Sequence, residues 1–126
     1  MHTPLREGPL IYQQIAAMLE HDILRGVYQE EEQVPSTNEL ARLYRINPAT
    51  AGKGLNLLAA DGVLYKRRGL GMFVAPGAAE RILEKRKAAF LDRYIRPMVR
   101  EGRSLGLERE TLMAMVASAM EEGEPL

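Results

Sequence analysis

A mainly α-helical fold with one small β-hairpin is predicted by three observations on the sequence. Apolar residues make up 46% of the 126 positions, and most of them recur at helical spacing. Two helix-start signals stand close together, at Ser36 and at Asn47-Pro48. Farther on, two short apolar segments flank a glycine-containing loop, which is typical of a hairpin. We expect two domains, residues 9–76 and residues 77–126.

The composition excludes several classes of site. The chain has no cysteine and two histidines, so neither disulfides nor thiolate metal sites are expected, and a histidine-built metal site is disfavoured. No apolar run approaches the roughly 20 residues of a membrane helix, and no signal peptide is recognisable. No nucleophile–base pair or cofactor loop is present. We therefore expect a soluble, cytoplasmic protein that is not an enzyme and needs no cofactor.

Charge is unevenly distributed, although the formal net charge is zero. Residues 36–76 carry six Lys or Arg residues against two acids, whereas residues 1–35 carry two against six. This basic middle third favours a nucleic-acid partner. The acidic run at 30–32 would repel phosphate, so we expect a solvated loop that points away from any DNA.

The first helix is predicted to follow a flexible arm at residues 1–8. It runs from about Pro9 to Arg25, because apolar residues recur at helical spacing and Gly26 then ends it. Val27-Tyr28 should form a turn that packs back on the core.

Two capped helices joined by a tight turn come next. Ser36 and Glu39 have capping-box spacing, in which each side chain bonds the other residue's backbone N–H. Asn47 can cap the second helix with its side-chain oxygen, and Pro48 at the first helical position loses no hydrogen bond. This arrangement is typical of a helix-turn-helix.

The second of these helices has an apolar face and a small polar face. Ala51, Leu55 and Leu58 fall together on the side expected in the core. Small side chains, hydrogen-bonding groups and one cation on the opposite side suit a helix that enters the major groove of DNA. The residues alone leave open an ordinary solvated face. This outer face carries Ala49, Thr50, Lys53 and Asn56.

The hairpin is predicted to have strands at 63–67 and 72–74. Three consecutive cations at 66–68 stand at its tip beside Gly69, where a glycine lets the backbone approach a partner. A hairpin placed in this way beside a helix-turn-helix is a wing. A phosphate-binding glycine loop of an enzyme is disfavoured, because the motif is too short and no helix start follows it.

The remaining residues predict two helices, about Ala78 to Arg100 and about Glu108 to Glu121, with Pro97 kinking or ending the first. Their apolar stripes are too extensive for a tail of about 50 residues to cover alone. We expect cover from the first domain and from a second copy of the chain, with a ligand groove as the alternative. The residues assigned to a dimer or effector groove are Phe90, Arg93, Tyr94, Met98, Leu112 and Val116.

The stretch from Ile11 to Val74 resembles the winged helix-turn-helix of the GntR family of bacterial transcription regulators. The short tail and the Asn-Pro opening of the recognition helix resemble the YtrA-type subgroup, which lacks a large effector domain. The matching motifs, in order, are Tyr12-Gln13-Gln14-Ile15-Ala16, Ile23-Leu24-Arg25-Gly26-Val27-Tyr28, Pro35-Ser36-x-x-Glu39-Leu40-Ala41, Ile46-Asn47-Pro48-x-Thr50, Leu57-Leu58-x-x-Asp61-Gly62 and Lys66-Arg67-Arg68-Gly69-x-Gly71-Met72-Phe73-Val74.

The resemblance implies a homodimeric repressor that binds an inverted-repeat operator in double-stranded DNA and responds to a small-molecule effector. A winged-helix protein-interaction module without specific DNA binding is the alternative. Arg45 and Arg67, two cations of the basic third, join the candidates for DNA contact. The contacts that the resemblance itself implies are at Asn38, Asn47, Ala49, Thr50, Lys53, Arg68 and Gly69.

Several positions depart from the family's pattern. Asn38 stands where many members have Arg, so a contact there is expected to change. Glu31 stands where the family usually has Gly, and the loop is expected to bend differently. Gly52 and Gly54 replace longer side chains of the recognition helix, either to allow close approach to a groove or a neighbouring helix or because they are tolerated.

Overall fold

A computed structural model describes residues 11–123. It confirms the predicted fold class, since the chain is mainly helical with one antiparallel hairpin. The predicted arm at 1–8, the helix start at Pro9 and the last three residues lie outside the described part. The elements are α1 (Ile11–Leu24), α2 (Thr37–Tyr44), α3 (Pro48–Ala60), β1 (Leu64–Arg67), β2 (Gly71–Val74), α4 (Ala78–Phe90), a π-helical turn (Leu91–Ile95), α5 (Arg96–Ser104) and α6 (Arg109–Glu122).

The chain divides into two compact units, Met1–Lys85 and Arg86–Leu126. The first unit extends beyond the expected boundary at residue 76, because the start of α4 belongs to its core. Ala78 and Ile82 have no accessible surface. Lys85 forms ion pairs with the carboxylates of Glu20 and Asp61. Burial alone would lower the pKa of Lys85, but hydrogen bonds to these two carboxylates outweigh burial and raise it.

One apolar core holds the first unit together. Ile15 of α1 and Val63 beside β1 are fully buried within it. The face of α3 predicted to be apolar is the core face, since Ala51, Leu55 and Leu58 are all buried. Packing against α1 therefore fixes which side of α3 remains exposed. Of the expected turn, Tyr28 packs against the core, whereas Val27 is exposed.

Both predicted helix caps are present. The Ser36 N–H donates to Glu39 Oε1 at 2.8 Å, and the Glu39 N–H donates to Ser36 Oγ at 3.1 Å. The Ala49 N–H donates to Asn47 Oδ1 at 2.8 Å. Between the helices, Arg45 ends α2 with φ +54°, a left-handed conformation that turns the chain sharply. The helix-turn-helix geometry is therefore fixed by short-range hydrogen bonds.

Replacing Ser36 with alanine should lower the free energy of unfolding by about 1 kcal/mol. Hydrogen bonds from the Ser36 backbone and side chain lower the pKa of Glu39. The ionised form therefore stabilises the fold above the ordinary Glu pKa, and this contribution is lost as pH falls through the lowered value. Urea unfolding at neutral pH and near pH 3 should show a smaller difference between wild type and Ser36→Ala in acid. An equal difference at both pH values would contradict this role for the pair.

The acidic run is exposed, as expected for a solvated loop, and its backbone is tied to the wing. The Glu31 N–H donates to the Val74 carbonyl at 2.8 Å, and the Val34 N–H donates to the Met72 carbonyl at 3.0 Å. The loop thus pairs with the open edge of β2, whose other edge pairs with β1. Glu31 has φ +72°, a left-handed conformation that favours glycine. The expectation that this loop bends differently stays a prediction.

Helical hydrogen bonding passes through Pro97 and continues to Ser104, so the expected end near Arg100 is wrong. A π-helical turn lies directly before the proline, and the Arg96 N–H donates to the Leu91 carbonyl five residues back. Proline has no N–H to donate in an α-helical ladder, and the wider turn accommodates this interruption. Within residues 11–123, no helix has both the length and the hydropathy required to cross a bilayer.

Candidate nucleic-acid interface

A polar cleft lies between the helix-turn-helix and the hairpin of the first unit. Its volume is about 260 Å³, and we call it the wing cleft. The start of α2, the exposed Asn56 and the buried Leu55 of α3, and both strands contribute to it. The lining residues are Ser36, Thr37, Asn38, Leu55, Asn56, Lys66, Gly71 and Met72.

Strand alternation decides which cation of the hairpin faces this cleft. Lys66 pairs with Met72 across the ladder, and both line the cleft. Because successive side chains on a strand point to opposite faces, Tyr65 and Arg67 lie on the outer face of the hairpin. The predicted site included Arg67 and omitted Lys66, whereas the structure places Lys66 beside the helix-turn-helix.

Arg67 is engaged on the outer face by three side chains. Its Nη2 lies 3.2 Å from Glu31 Oε2 and donates to the Tyr65 hydroxyl at 2.8 Å. The Tyr65 hydroxyl donates to the same Glu31 oxygen at 2.8 Å. The guanidinium carbon lies 4.5 Å from the centroid of the Phe73 ring, a cation–π distance. Arg67 is therefore held by the acidic loop.

The predicted residues of α3 lie on its accessible side. Ala49 and Lys53 are exposed, and Thr50 is half-buried. Lys53 Nζ lies 4.9 Å from the centroid of the Tyr12 ring on α1, so this cation is at the α1 side of the helix. Asn47 is exposed at the N-terminus of α3 and uses its side-chain oxygen as the cap.

The other predicted positions are also accessible. Asn38 lines the wing cleft, and Arg45 is exposed in the turn between α2 and α3. Arg68 and Gly69 are exposed at the tip of the hairpin. Gly69 has φ +78°, and a Cβ built there would meet no atom of residues 11–123 within 4 Å. The backbone at the wing tip is thus open to a partner.

Lys66 and Asn56 are among the cleft residues that were absent from the predicted site. The two-residue period of a strand could have separated Lys66 from Arg67. Asn56 was placed on the outer face of its helix, but nothing local distinguishes it from a solvated polar residue. Its position opposite the wing depends on the tertiary packing.

The second unit carries an apolar groove of about 600 Å³ along α5 and α6. The helices approach closely at Gly102, where a Cβ would lie 3.4 Å from Leu112 Cδ2. Met113 and Met120 leave 58% and 78% of their surface exposed. The groove is lined by Met98, Val99, Arg103, Leu107, Arg109, Leu112, Met113, Val116, Ala117 and Met120.

The six residues predicted for a dimer or effector groove do not form one cluster. Met98, Leu112 and Val116 line the groove. Phe90 and Tyr94 instead form a separate ring pair, with centroids 5.4 Å apart. The remaining residue, Arg93, is exposed and is not among the groove's lining residues.

Comparison with known proteins agrees with this architecture. Residues 11–74, about half of the chain, match the model of the gntR family of bacterial regulatory proteins. The chain belongs to the GntR family. It is 26% identical to the HTH-type transcriptional repressor YtrA of Bacillus subtilis over 107 residues, which cover 85% of this chain and 82% of YtrA. The predicted resemblance to YtrA-type members is confirmed.

Other relatives match over a shorter stretch. The chain is 39% identical over 74 residues to a probable fructoselysine utilization operon transcriptional repressor of Escherichia coli K12, covering 59% of this chain. The match spans only 30% of that repressor.

Two solved structures extend the comparison. A putative GntR-family regulator from Bacteroides thetaiotaomicron has a TM-score of 0.77 and 33% identity, with 90% of this chain and 99% of that chain covered. The AraR DNA-binding domain in complex with operator ORX1 has a TM-score of 0.51 and 29% identity, with 59% and 100% covered.

Proposed function

We propose that this GntR-family protein is a sequence-specific DNA-binding repressor that acts in the cytoplasm as a homodimer on an inverted-repeat operator. The observation that carries the proposal is the wing cleft, in which the start of α2, Asn56 from the exposed side of α3 and Lys66 of the wing lie together. A helix and a basic hairpin on one surface can engage a groove and the adjacent phosphates together. The similarity to a DNA-binding domain bound to its operator supports this use of the surface.

On this proposal, α3 enters the major groove with its small polar side. Ala49 packs on a thymine methyl group, while Thr50 and Asn56 provide hydrogen-bonding groups for base edges. Lys53 and Lys66 lie at different edges of the contact surface, one against α1 and one in the wing cleft. Cations at both edges would neutralise phosphates on either side of the groove. The remaining proposed contacts are Asn38, Arg45, Asn47, Arg68 and Gly69.

The apolar groove along α5 and α6 supports pairing of two chains. Exposed methionines along one groove form the kind of apolar patch that marks an interaction surface. Two copies related by a two-fold axis would present two recognition helices about 34 Å apart, the spacing of successive major grooves. The inverted-repeat operator follows from that symmetry.

A small-molecule effector would act by binding one arrangement of the dimer more tightly than another. We assign it to the ring pair of Phe90 and Tyr94, beside Arg93. Aromatic faces and a guanidinium suit a planar or anionic molecule. Loss of operator binding on addition of a candidate metabolite tests this assignment, with Phe90→Ala as the variant expected to bind DNA without responding.

The proposed function is tested by mobility-shift titration of the full chain. Inverted repeats upstream of its own coding region provide candidate operators, with the same bases in scrambled order as the control. Preferential binding of one inverted repeat supports the proposal. Failure to bind any duplex, even at low salt, would instead favour a winged-helix protein-interaction module.

Replacing Lys66 with alanine should weaken binding to every duplex sequence and flatten the salt dependence by about one unit of slope. The reason is that a phosphate contact releases a counterion irrespective of base sequence. Lys87→Ala is the matched control, because Lys87 is an exposed cation of the second unit. Unchanged binding by Lys66→Ala, or equal losses in both variants, would remove Lys66 from the proposed site.

A further inference from the structure

We infer that Glu31 limits the affinity of this protein for DNA by holding Arg67 away from phosphate, an inference that rests on the proposed DNA-binding function. The wing has three consecutive cations at 66–68. Lys66 faces the wing cleft and Arg68 is at the tip, whereas Arg67 is paired with a carboxylate. The positive charge of Arg67 is therefore present on the wing but is already paired with the carboxylate of Glu31.

The carboxylate of Glu31 contacts Arg67 Nη2, one of the guanidinium nitrogens that a phosphate would use. One Glu31 oxygen contacts both Arg67 Nη2, at 3.2 Å, and the Tyr65 hydroxyl, at 2.8 Å. Arginine pairs with carboxylates and phosphates through the same N–H groups, so the two anions compete for it. DNA must displace Glu31 before it gains the contact.

The acidic residue cannot simply withdraw when DNA approaches. The Glu31 N–H is bonded to the Val74 carbonyl of β2, and the Val74 N–H is bonded to the Glu32 carbonyl. These bonds anchor the loop to the same hairpin that carries the arginine. Negative charge thus remains beside the wing in every complex that keeps this pairing.

The ion pair can be removed without loss of the fold. The Arg67 and Glu31 side chains are 44% and 50% exposed, and ion pairs in such positions contribute little to stability because water screens them. Fold maintenance alone does not require this pair, since backbone hydrogen bonds already hold the loop and strand together. The larger effect of the Arg67–Glu31 pair is to reduce the positive charge that the wing presents to a polyanion.

Glu31→Gln isolates this effect with little disturbance of the fold. Glutamine has nearly the same shape, and its amide oxygen can still accept from the Tyr65 hydroxyl. The strain of the positive φ is present in wild type and variant alike. The thermal midpoint of the variant should therefore stay close to that of wild type, which checks that folding is retained.

The test titrates the full chain with a mixed-sequence duplex over a series of NaCl concentrations. Glu31→Gln should bind about three- to tenfold more tightly at low salt, with a log–log slope steeper by about 0.9, the value of one added phosphate contact. Arg67→Gln alone should leave the wild-type slope unchanged. Adding Arg67→Gln to Glu31→Gln should return the slope to its wild-type value.

Glu32→Gln is the matched control for loss of one acidic charge. Glu32 lies in the same loop and accepts from the Gln29 N–H at 2.6 Å. Its neutralisation should change affinity less than Glu31→Gln, with no added slope. Equal gains in the two variants, or a flatter slope in Arg67→Gln alone, would overturn the inference. Failure of wild type to bind the duplex would instead remove the proposed function itself.

Discussion

Gly54→Ala should destabilise the first unit by about 1–3 kcal/mol, the range found when extra volume is forced into a packed interior. A Cβ at this position would lie 2.9 Å from Ile15 Cγ2 and 3.0 Å from the Tyr12 carbonyl oxygen. The second of these contacts is with backbone, so a change of rotamer cannot relieve it. α3 would have to move away from α1, which opens the core that fixes the exposed side of α3.

Gly52→Ala is the matched control and should have the opposite sign. Among the described residues, a Cβ there would meet only the Thr37 side chain, at the ordinary contact distance of 3.8 Å. Alanine should then raise the free energy of unfolding by up to about 1 kcal/mol through its higher helix propensity. Urea unfolding of both variants should give a difference of about 1–4 kcal/mol between them. Equal free energies of unfolding would show that α1 and α3 can move apart to accept the added methyl group without loss of stability.

The sequence could not distinguish these two glycines. Both are helical, and helix propensity penalises each by about the same amount, roughly 1 kcal/mol relative to alanine. The two positions differ in their contact with α1, because a Cβ at Gly54 would meet α1 and a Cβ at Gly52 would meet Thr37 of α2. Gly54 is buried, whereas Gly52 is only half-buried. Of the alternatives stated for the pair, approach to a neighbouring helix holds for Gly54.

Features that depend on neighbouring residues were predictable, and features that depend on distant partners were not. The caps at Ser36 and Asn47 involve residues two or three positions apart, so their spacing is visible in the sequence. The partner of Arg67 is 36 positions away. Strand alternation could have placed Arg67 on the outer face, but not have identified Glu31 as its partner there. The charge pattern therefore predicted a basic wing and missed its partial neutralisation.

The extent of the first unit shows the same limit. Pro76 and Gly77 suggested a boundary, because they interrupt regular structure. Beyond them, however, Ile82 is fully buried and Lys85 pairs with the buried Glu20. Composition marks where the chain turns, whereas tertiary contacts decide where a compact unit ends. The chain turns before α4 begins at Ala78, whereas the compact unit ends within α4, at Lys85.

Met113→Asp should convert the proposed homodimer into monomers and lower operator affinity about a hundredfold or more. Burying one methionine stabilises an interface by about 1.5–3 kcal/mol, and a two-fold interface loses that amount twice. A charged carboxylate in the same apolar groove adds a desolvation penalty. In an isolated chain the side chain is 58% exposed, so the substitution should have little effect on the folding of the monomer.

Ser118→Asp separates an interface effect from a general effect of added charge. Ser118 lies on the same helix and is exposed, but it does not line the groove. Sedimentation equilibrium should give a dimer mass for wild type and Ser118→Asp and a monomer mass for Met113→Asp. The variant that becomes monomeric should also be the one that loses operator affinity, because a monomer engages only one half-site. A dimeric Met113→Asp, or a wild type that is monomeric and still binds an inverted repeat tightly, would show that the α5–α6 groove does not pair the DNA-reading heads.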